Sequence, residues 1–503
     1  MGKQIFYLGI DIGTTSTKGI IANAAGEILA GEQAEYSIYQ PMPSFAEQSP
    51  EEISRAVWQV IKQLLKSSAA MQGVLGGIGF SSAMHSVILV DEANRPLTRC
   101  IIWADSRSAA EAEEIRCEPG LELYHRTGTP IHPMSPLTKL RWMSRFSPEL
   151  LKRAHKVLSI KEYVLFQLCQ SYVVDYSIAS TTGMFGIHQL DWDRQALELA
   201  GVRREQLSDP VPTTEILSIQ NRQLADELGI PLDTPIVVGA SDGVLANLGA
   251  GASDEETAVI TIGTSGAVRT VSRTPRTDRD MKSFCYALAA ERWVTGGPFN
   301  NGGLSLQWFR DQFICTGAND SKSYDELIGE AAGLKAGSEG LLFLPYLTGE
   351  RAPYWNAQAR GVFFGAGLHH RREHFLRAVL EGVIFCAYSV FRSLQTDEQE
   401  IKQLFATGGF VRSPFWLQLA ADVFGIPVHV PDSPESACLG AVMLTMLATG
   451  AIDSLDESAA MVHIAKIYSP DRSQTGRYQE LFGLFEQVYH SVEGHFAALS
   501  QFR

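Results

Sequence analysis

One strand–turn–strand pattern occurs twice in this chain, about 250 residues apart, and it constrains the fold more than any other feature. In residues 8–23 an apolar run reaches Asp11, turns through the segment GTTS and returns as a second apolar run. Residues 258–269, AVITIGTSGAVR, repeat this order around an Ile-Gly-Thr turn. Apolar runs joined by a short Gly/Thr/Ser turn are typical of β-hairpins. The repeat therefore predicts two similar domains, each containing such a hairpin.

Composition limits the classes of function that the chain can serve. Its 503 residues are enough for two or three domains, and 45% of them are hydrophobic, as expected for a soluble globular protein. The formal net charge of −14 argues against general affinity for nucleic acid or for anionic membranes. The first residues lack the pattern of a signal peptide, and no window approaches 18 consecutive apolar residues. Seven dispersed cysteines without a C-x-x-C pair predict reduced thiols and a cytoplasmic protein.

Strands and helices alternate after the first hairpin, which indicates an α/β architecture. Residues 27–35 have the pattern of a third strand, and a helix is predicted to begin with Ser49 as N-cap and Pro50 at its first position. Residues 76–80 form a short apolar strand, and residues 156–170 have the pattern of a strand followed by a helix. The chain thus repeats the strand–helix order that open α/β sheets require.

Two more strands end at polar or glycine-containing turns. Residues 235–252 combine a buried strand, a Gly/Ser/Asp turn and a helix of small residues, and we place the domain boundary just after it, near Ala252. In the segment ATGGFVRSPFW a strand breaks at Gly408-Gly409, and a helix from Ser413-Pro414 should direct Phe415, Leu419 and Val423 inward. Each turn alone is compatible with a simple connector, but their number in one chain favours ligand contacts.

The first hairpin turn has the chemistry of a phosphate and metal site. It places four hydroxyl side chains, from Thr14 to Thr17, beside Gly13 and the carboxylate of Asp11. Backbone N–H groups and hydroxyls can bind phosphate oxygens, and a carboxylate can face a divalent cation directly or through water. Lys18, just beyond the turn, either neutralises phosphate charge or is a solvated strand residue. A polar turn with nothing bound remains the alternative.

Four segments in this order, DIGTTSTK, GASDG, TIGTSG and ATGGFVRSPFW, resemble the FGGY carbohydrate kinases. MSPLTKLRW, residues 134–142, is similar to the first signature of that family, and the resemblance extends from the first strand to about Gly450. It implies two similar α/β domains of the actin, hexokinase and ribonuclease H-like ATPase fold, flanking a catalytic cleft. Residues 1–252 would then carry the sugar-acid substrate and the first phosphate hairpin, and residues 253–503 the second hairpin and the adenosine site.

Within the family, segments such as WADSRS, RTGTPIHPM, IKEY and GERAPYWN most closely resemble gluconokinases. The resemblance implies that ATP phosphorylates D-gluconate at its 6-hydroxyl. Pentulose kinases share the Met84-His85 pair and the spacing of Trp103, Asp105 and Arg107, so a xylulose or ribulose kinase stays open. Glycerol kinases fit less well, because their arginine–glutamate pair is absent at residues 84–85. A nucleotide-driven actin-like or chaperone-type ATPase is the alternative from another class.

The resemblance also implies a role for individual residues in phosphoryl transfer. Asp242 would be the general base, although it could instead be a helix-capping residue, and Asp11 would help to hold Mg²⁺ through water. The other implied nucleotide contacts are Gly13, Thr14, Thr15, Ser16 and Lys18 on the first hairpin, Gly263, Thr264 and Ser265 on the second, and Gly303, Gln307, Gly409 and Ser413 along the α-phosphate and adenosine. Ser413 stands where glycerol kinases carry asparagine, which weakens its assignment.

Gluconate carries a carboxylate and several hydroxyls, so its site should combine cationic donors with polar groups. The expected substrate residues are Met84, His85, Trp103, Asp105, Arg107 and Asp242. Arg107 is the first choice for the carboxylate, with His132 and Lys139 next, and simple packing roles stay open for the two histidines and for Lys139.

Three further expectations concern residues or contacts outside the catalytic set. Glu350 and Arg351 could form an ion pair that fixes a loop. A zinc site at His369, His370 and His374 is disfavoured, because the segment has the pattern of a basic helix start. A homodimer is plausible by resemblance, whereas nucleic-acid and membrane partners are not expected.

Overall fold

The computed structural model describes residues 4–69, 73–314, 322–395, 399–433, 435–499 and 502. The chain divides into two compact units. Unit 1 comprises Met1–Ser253, Ser272–Val294 and Glu435–Val462, and unit 2 comprises Asp254–Val271, Thr295–Pro434 and His463–Arg503. Two segments from the second half of the sequence therefore belong to unit 1.

The described residues form 23 strands and 18 α-helices. The strands are β1 (Ile5–Ile12), β2 (Ser16–Asn23), β3 (Ile28–Glu35), β4 (Glu47–Gln48), β5 (Val74–Ser82), β6 (Ile88–Val90), β7 (Cys100–Ile101), β8 (Lys156–Leu158), β9 (Val173–Asp175), β10 (Phe185–Gly186), β11 (Asp191–Trp192), β12 (Asp209–Val211), β13 (Ile216–Leu217), β14 (Ile236–Ser241), β15 (Thr257–Ile262), β16 (Gly266–Ser272), β17 (Phe284–Ala289), β18 (Arg292–Phe299), β19 (Leu342–Leu344), β20 (Val362–Phe364), β21 (Gln403–Thr407), β22 (Val428–Pro431) and β23 (Ile464–Tyr468). The helices are α1 (Pro50–Ala69), α2 (Ala109–Cys117), α3 (Gly120–Thr127), α4 (Pro136–Phe146), α5 (Pro148–Arg153), α6 (Ile160–Cys169), α7 (Tyr176–Ser180), α8 (Arg194–Ala200), α9 (Arg222–Leu228), α10 (Asp242–Gly249), α11 (Gly303–Phe313), α12 (Tyr324–Ala332), α13 (Arg372–Leu394), α14 (Pro414–Phe424), α15 (Ser436–Ala448), α16 (Leu455–Ala459), α17 (Arg472–Val492) and α18 (Phe496–Leu499).

The main sheet of unit 1 has the strand order β13-β14-β5-β1-β2-β3. Helix α15 packs on β1 and β5, and α1 packs on β2 and β3. Glycines make the contact with α15 possible: a Cβ at Gly9 would lie 2.1 Å from the carbonyl oxygen of Cys438, and one at Gly79 would lie 2.0 Å from Oγ1 of Thr445. Helices on this sheet bury the apolar side chains of its central strands, such as Leu8 and Ile10.

Unit 2 repeats this topology with strands β18-β16-β15-β21-β22-β23 in neighbouring positions. Strand β15 is antiparallel to β16 and parallel to β21, β21 is parallel to β22, and β22 is antiparallel to β23. In unit 1, β1 is likewise antiparallel to β2 and parallel to β5, β5 is parallel to β14, and β14 is antiparallel to β13. The predicted repeat of an α/β domain is confirmed. We call β1–β2 the first hairpin and β15–β16 the second hairpin.

Helix α13 forms the core of unit 2. In the described part of the chain it is the single helix whose length and composition would allow it to cross a membrane, but 94% of its most apolar window is buried inside the protein. Its buried arginine is paired: Arg377 donates from Nε to Glu381 at 2.7 Å and from Nη2 to the hydroxyl of Tyr478 at 2.7 Å. This burial and pairing are those of a core helix.

Most predicted elements of secondary structure are confirmed, including the third strand and the helix that begins at Pro50. On α14, Leu419 and Val423 are buried as predicted, whereas Phe415 is buried only in part. The guanidinium of Arg377 lies 4.6 Å from the ring centroid of Phe415. The next two residues, Trp416 and Leu417, are buried instead. Because helix α14 begins at Pro414, its first turn presents these residues to the core and leaves Phe415 as a platform for a buried cation.

Candidate active site

The turn of the first hairpin is held by side chains from other parts of unit 1. The hydroxyl of Tyr36 donates to the carbonyl of Gly13 at 2.6 Å, and Nε2 of Gln48 donates to the carbonyl of Thr14 at 2.7 Å. Nε1 of Trp103 donates to Oγ1 of Thr14 at 2.9 Å. These carbonyl oxygens are satisfied within the protein, so a phosphate at this turn would meet N–H groups and hydroxyls.

Asp11 lies at the end of β1, where its backbone pairs with that of Lys18. The hydroxyl of Ser81 donates to its Oδ1 at 2.6 Å. Desolvation raises the pKa of the Asp11 carboxyl, although the bond from Ser81 and the charge of Lys18 act in the opposite direction. A carboxylate beside a hydroxyl is the oxygen chemistry that Mg²⁺ prefers, and a divalent cation would favour the ionised form of this carboxyl. The residues present therefore fit the metal-facing role.

Lys18 has a partner within unit 1. Its Nζ lies 3.0 Å from both carboxylate oxygens of Glu435, and the two side chains are 39% and 31% exposed. The positive charge of Lys18, which the sequence suggested for phosphate binding, is thus partly balanced by Glu435, a residue 417 positions away. The ammonium group is partly exposed, so a contact between Lys18 and phosphate stays a prediction.

His85 and Lys139 belong to one buried arrangement. His85 has a left-handed backbone with φ of 67°, and its Nδ1 donates to the carbonyl of Thr181 at 2.8 Å. Nζ of Lys139 donates to the carbonyl oxygens of His85 at 2.7 Å and Ile102 at 2.8 Å. Lys139 is completely buried, and this burial lowers the pKa of its ammonium to about 7. Lys139 therefore holds two backbone segments together, which is not the open position that a carboxylate-binding side chain needs.

Arg107 is occupied by two carboxylates. It donates from Nε and Nη2 to the two oxygens of Asp105, at 2.9 and 2.7 Å, and from Nη2 to Glu47 at 2.6 Å. Its side chain is 6% exposed and lies over the ring of Phe45, with 3.6 Å between Cζ and the ring centroid. Asp105 is buried as well, and also accepts the N–H of Ala46 at 2.7 Å. The guanidinium group that was expected to bind the substrate carboxylate is thus bound by Asp105 and Glu47.

The remaining substrate candidates are more open. Met84 and Trp103 are half-buried, and Met84 precedes the strained His85 directly. His132 is also half-buried, and its Nδ1 accepts the N–H of Met134 at 3.2 Å, which is a local turn contact. Met84, His85 and Trp103 thus remain candidates for a substrate wall, because the backbone beneath them is fixed by Lys139.

Asp242 is the first residue of α10 and follows directly after β14. Its side chain is half-buried, and its Oδ1 accepts the N–H of Gly243 at 2.7 Å. Ser241 is the N-cap of this helix. A carboxylate in the first turn of a helix is favoured by the partial positive charge of the helix N-terminus. The structure thus places a carboxyl group at the end of a buried strand, where open α/β sheets bind ligands.

The second hairpin is held by backbone groups. The carbonyl of Gly263 accepts the N–H of Gly303 at 2.7 Å, and the carbonyl of Thr264 accepts the N–H of Gly302 at 3.1 Å. The turn therefore caps the N-terminus of α11. Glycine is required at Gly302, because a Cβ there would lie 2.9 Å from the carbonyl group of Ser265.

A pocket of about 580 Å³ lies within unit 2, beside the second hairpin. This volume lies within the range of ligand sites. Six of the seven nucleotide contacts predicted in this half of the chain line it: Gly263, Thr264, Gly303, Gln307, Gly409 and Ser413. The seventh, Ser265, is not among the lining residues that the structure describes. Sequence reasoning missed the other lining residues, which are Ile262, Leu306, Ser323, Tyr324, Asp325, Ile328, Phe410, Arg412 and Trp416.

Local geometry explains how the pocket wall forms. Gly408 has a φ of 89°, and a Cβ there would lie 2.6 Å from the carbonyl oxygen of Ile262, so the chain can pass the second hairpin only with glycine. Ser413 then caps α14 by accepting the N–H of Trp416 at 3.2 Å. The missed wall at Ser323 is the capped start of α12, with the spacing S-x-x-E. That spacing predicts a helix start, but its position in the pocket is a tertiary feature.

Glu350 and Arg351 fix the segment that precedes α11. Oε1 of Glu350 accepts the N–H groups of Asn300 and Arg351, each at 2.7 Å, and Nε of Arg351 donates to Oδ1 of Asn300 at 2.7 Å. Burial raises the pKa of the Glu350 carboxyl to about 6. These contacts hold the loop through Asn300, where the sequence had suggested an ion pair between the two neighbours.

The three histidines near α13 contact one another and a single carboxylate. His369 and His370 have ring centroids 4.0 Å apart, and Nε2 of His374 lies 3.7 Å from Glu339. Among the residues that the structure describes, no group of three or more His, Cys, Asp or Glu side chains is arranged to hold a metal ion. Helix α13 begins at Arg372, as the basic pattern predicted.

Comparison with known proteins identifies the family to which these units belong. Residues 6–249 match the N-terminal domain of the FGGY family of carbohydrate kinases, and residues 258–449 match its C-terminal domain. The chain belongs to the FGGY family of carbohydrate kinases. As a member, it is an ATP-dependent sugar kinase, and the alternative of an actin-like or chaperone-type ATPase is set aside.

Three full-length relatives illustrate the similarity. The chain is 45% identical to the gluconokinase of Bacillus subtilis (strain 168), over 99% of this chain and 98% of the relative. A crystal structure of gluconate kinase from Lactobacillus acidophilus is 33% identical, with a TM-score of 0.94 over 99% of this chain and 100% of the other. A ligand-bound xylulose kinase from Lactobacillus acidophilus is also 33% identical, with a TM-score of 0.94 over 98% and 100% of the two chains. The sugar-kinase fold is therefore common to relatives named for two substrates.

Proposed function

We propose that this kinase transfers the γ-phosphoryl group of ATP to the 6-hydroxyl of D-gluconate and forms 6-phosphogluconate. The substrate assignment rests on the 45% identity, over 99% of the chain, to a relative named gluconokinase. This identity exceeds the 33% shared with the xylulose kinase structure. The residues of both units then divide the chemistry of phosphoryl transfer among them.

The pocket of unit 2 is the proposed nucleotide site. Leu306, Ile328 and Trp416 supply apolar surface for a base, and Gln307 and Ser413 supply polar groups for the adenosine. The turn of Gly263, Thr264 and Ser265 would meet the phosphates, since glycine lets the backbone approach them closely. The first hairpin would supply the hydroxyls of Thr14, Thr15 and Ser16 and backbone N–H groups of its turn to the β- and γ-phosphates, with Gly13 allowing close approach and Lys18 as a further cation.

Asp11 would hold Mg²⁺ through oxygen or water ligands, with Ser81 fixing the orientation of its carboxylate. When bound, Mg²⁺ supplies positive charge that offsets the negative charge of the phosphates. The bond from Ser81 leaves Oδ2 as the carboxylate oxygen that can face this charge.

Asp242 is the proposed general base. It would accept the proton of the 6-hydroxyl while that oxygen attacks the γ-phosphorus, and the bond to the leaving ADP oxygen breaks. Its position in the first turn of α10 favours the ionised form that can accept a proton. The bond from the N–H of Gly243 to Oδ1 helps to fix the orientation of this carboxylate.

Met84, His85 and Trp103 form the proposed wall of the sugar-acid site. Asp105 and Arg107 act behind it: they fix the segment that follows Trp103 against Glu47 and Ala46. This assignment gives Arg107 an indirect role in substrate binding, because its Nε and Nη2 groups already donate to Asp105 and Glu47.

A pentulose kinase is the second candidate, favoured by the equal structural similarity to the xylulose kinase. A coupled assay of ADP release with D-gluconate, D-xylulose, D-ribulose and glycerol separates the two. We expect kcat/KM for D-gluconate to exceed the others at least about tenfold, as binding differences of about 1.4 kcal/mol produce. A preference for a ketose would refute the gluconate assignment and leave the kinase activity intact.

A further inference from the structure

Lys161 is a buried lysine beside the strand end that carries Asp242, and the mechanism above does not use it. It lies on α6 with 1% of its side chain exposed. Its Nζ donates to the carbonyl of Ala240 at 3.0 Å, two residues before Asp242. The same Nζ lies 2.7 Å from Oδ2 of Asp175, which is also 1% exposed. An ammonium group is costly to bury unless it is paired and hydrogen-bonded, as this one is.

Asp175 reaches the same strand end by a second route. It caps α7 by accepting the N–H of Ile178 on Oδ1 at 2.9 Å. Within that helix, the hydroxyl of Ser177 donates to Oγ of Ser241 at 3.0 Å and accepts the N–H of Ser241 at 3.1 Å. Since Ser241 precedes Asp242, the pair of Lys161 and Asp175 fixes the junction of β14 and α10 from two sides.

Four ionisable groups meet at this junction. Asp175 is the last residue of β9, Glu162 is next to Lys161 on α6, and Asp242 is the first residue of α10. Burial lowers the pKa of the Lys161 ammonium, whereas Asp175, Glu162 and Asp242 act to raise it. Burial also raises the pKa of the Glu162 carboxyl to about 7. Because charge interactions are mutual, protonated Lys161 favours the ionised form of Asp242.

We propose that Lys161 is a positioning residue for phosphoryl transfer: it fixes the backbone at Ala240 and keeps Asp242 ionised, with Asp175 as the partner that balances its charge. The inference rests on the proposed role of Asp242 as the base. It predicts a larger effect for removal of the Lys161 charge than for removal of the Asp175 charge, because Asp175 both opposes the charge of Lys161 and raises the pKa of its ammonium.

The pH profile of kcat tests this role. Lys161→Gln keeps an N–H donor near the Ala240 carbonyl but removes the charge. We expect its acidic limb to move up by about one pH unit, so that turnover below the limb falls about tenfold while the plateau and the KM for ATP stay close to those of the wild type. Lys161→Arg, which keeps the charge, should restore the limb. Lys152→Gln changes a lysine on α5 that is 68% exposed, and serves as the matched control.

Asp175→Asn supplies the second arm. Asparagine can still cap α7 through its side-chain oxygen. Because Asp175 raises the pKa of the Lys161 ammonium, its removal takes away a negative charge and also weakens the protonation of Lys161, and the two effects on Asp242 offset each other. The acidic limb should therefore move less than in Lys161→Gln. An unmoved limb in Lys161→Gln, or a larger shift in Asp175→Asn, would overturn the proposal, and Lys161→Met replaces Lys161→Gln if that variant does not fold. Near-normal turnover of Asp242→Asn would refute the base itself, which is a separate result.

Discussion

The two hairpins share a topology but are braced in different ways. The turn of the first hairpin is held by the side chains of Tyr36, Gln48 and Trp103. The turn of the second is held by backbone N–H groups at Gly302 and Gly303. The same fold element thus adds three side-chain donors to one backbone bond, from Tyr36 to the carbonyl of Thr15, in unit 1, and relies on close backbone approach in unit 2.

This difference matches the chemistry proposed for each unit. Unit 1 contains the groups whose charge matters, such as Asp11 and Asp242, and its braces position polar side chains. Unit 2 contains the pocket proposed for the nucleotide, where glycines such as Gly303 and Gly409 would allow a ligand to approach the backbone. Substitutions in unit 1 should therefore change turnover and substrate affinity, and glycine substitutions in unit 2 should change nucleotide affinity.

The largest expected effect comes from Asp242→Asn in unit 1. Asparagine keeps the size of the side chain but cannot accept the proton, so kcat should fall about 10²–10⁴-fold. Nucleotide affinity, measured by calorimetry, should stay within about twofold. Asp233→Asn, at an exposed residue before β14, is the matched control and should leave kcat unchanged. Near-normal turnover of Asp242→Asn would contradict its role as base.

Arg107→Ala tests the side-chain bracing of unit 1. It leaves buried Asp105 and nearby Glu47 without their cation, so the free energy of unfolding should fall by about 3–5 kcal/mol. Arg95→Ala removes an exposed arginine from a local pair with Asp91 and should cost less than about 1 kcal/mol. Because Arg107 acts indirectly, kcat/KM should fall by similar factors for D-gluconate and D-xylulose. A loss confined to gluconate would instead assign Arg107 to the substrate carboxylate.

Gly408→Ala tests the backbone bracing of unit 2. The φ of 89° and the carbonyl of Ile262, 2.6 Å from the added Cβ, should lower the free energy of unfolding by about 1–3 kcal/mol and weaken nucleotide binding. Gly483→Ala on α17 meets no atom within 4 Å and should be neutral or stabilising. Chemical denaturation and calorimetric titration with ATP measure both effects. Unchanged ATP affinity in Gly408→Ala would separate this turn from the nucleotide site.

Glu350 gives unit 2 a pH dependence that its backbone contacts alone would lack. Its pKa is raised from 4.5 to about 6, so its contribution to stability is fully present below pH 4.5 and is lost as the pH rises through 6. Between these values the free energy of unfolding of the wild type should fall by about 2 kcal/mol relative to Glu350→Gln. Urea denaturation of both proteins across this range measures the difference. A constant difference would show that the carboxyl titrates normally.

Trp103→Phe should have the smallest effect. It removes the N–H that binds Oγ1 of Thr14 but keeps an aromatic ring, so a loss of about 0.5–1.5 kcal/mol is expected, or up to about tenfold in kcat/KM. Steady-state kinetics with D-gluconate and ATP measure this loss. An unchanged kcat/KM would show that the first hairpin does not depend on this brace.

Local sequence patterns predicted much of the fold because hairpins and helix starts are encoded by neighbouring residues. The hairpin turn at Gly13, the Ser49-Pro50 helix start and the break at Gly408 each follow from a few consecutive residues. The family resemblance also selected six residues that line the unit 2 pocket, including Gln307 and Ser413. The wall at Ser323 and Tyr324 was missed, because a capped helix start does not tell where that helix packs.

The sequence by itself determined that two similar α/β units exist, where their hairpins lie, and which residue types could serve phosphoryl transfer. Only the tertiary structure decided which charged side chains are already occupied. Arg107 binds a glutamate 60 positions away, Lys18 binds one 417 positions away, and Lys139 is buried against two carbonyl groups. The physical reason is that the availability of a charge depends on desolvation and pairing, which are set by residues distant in the chain.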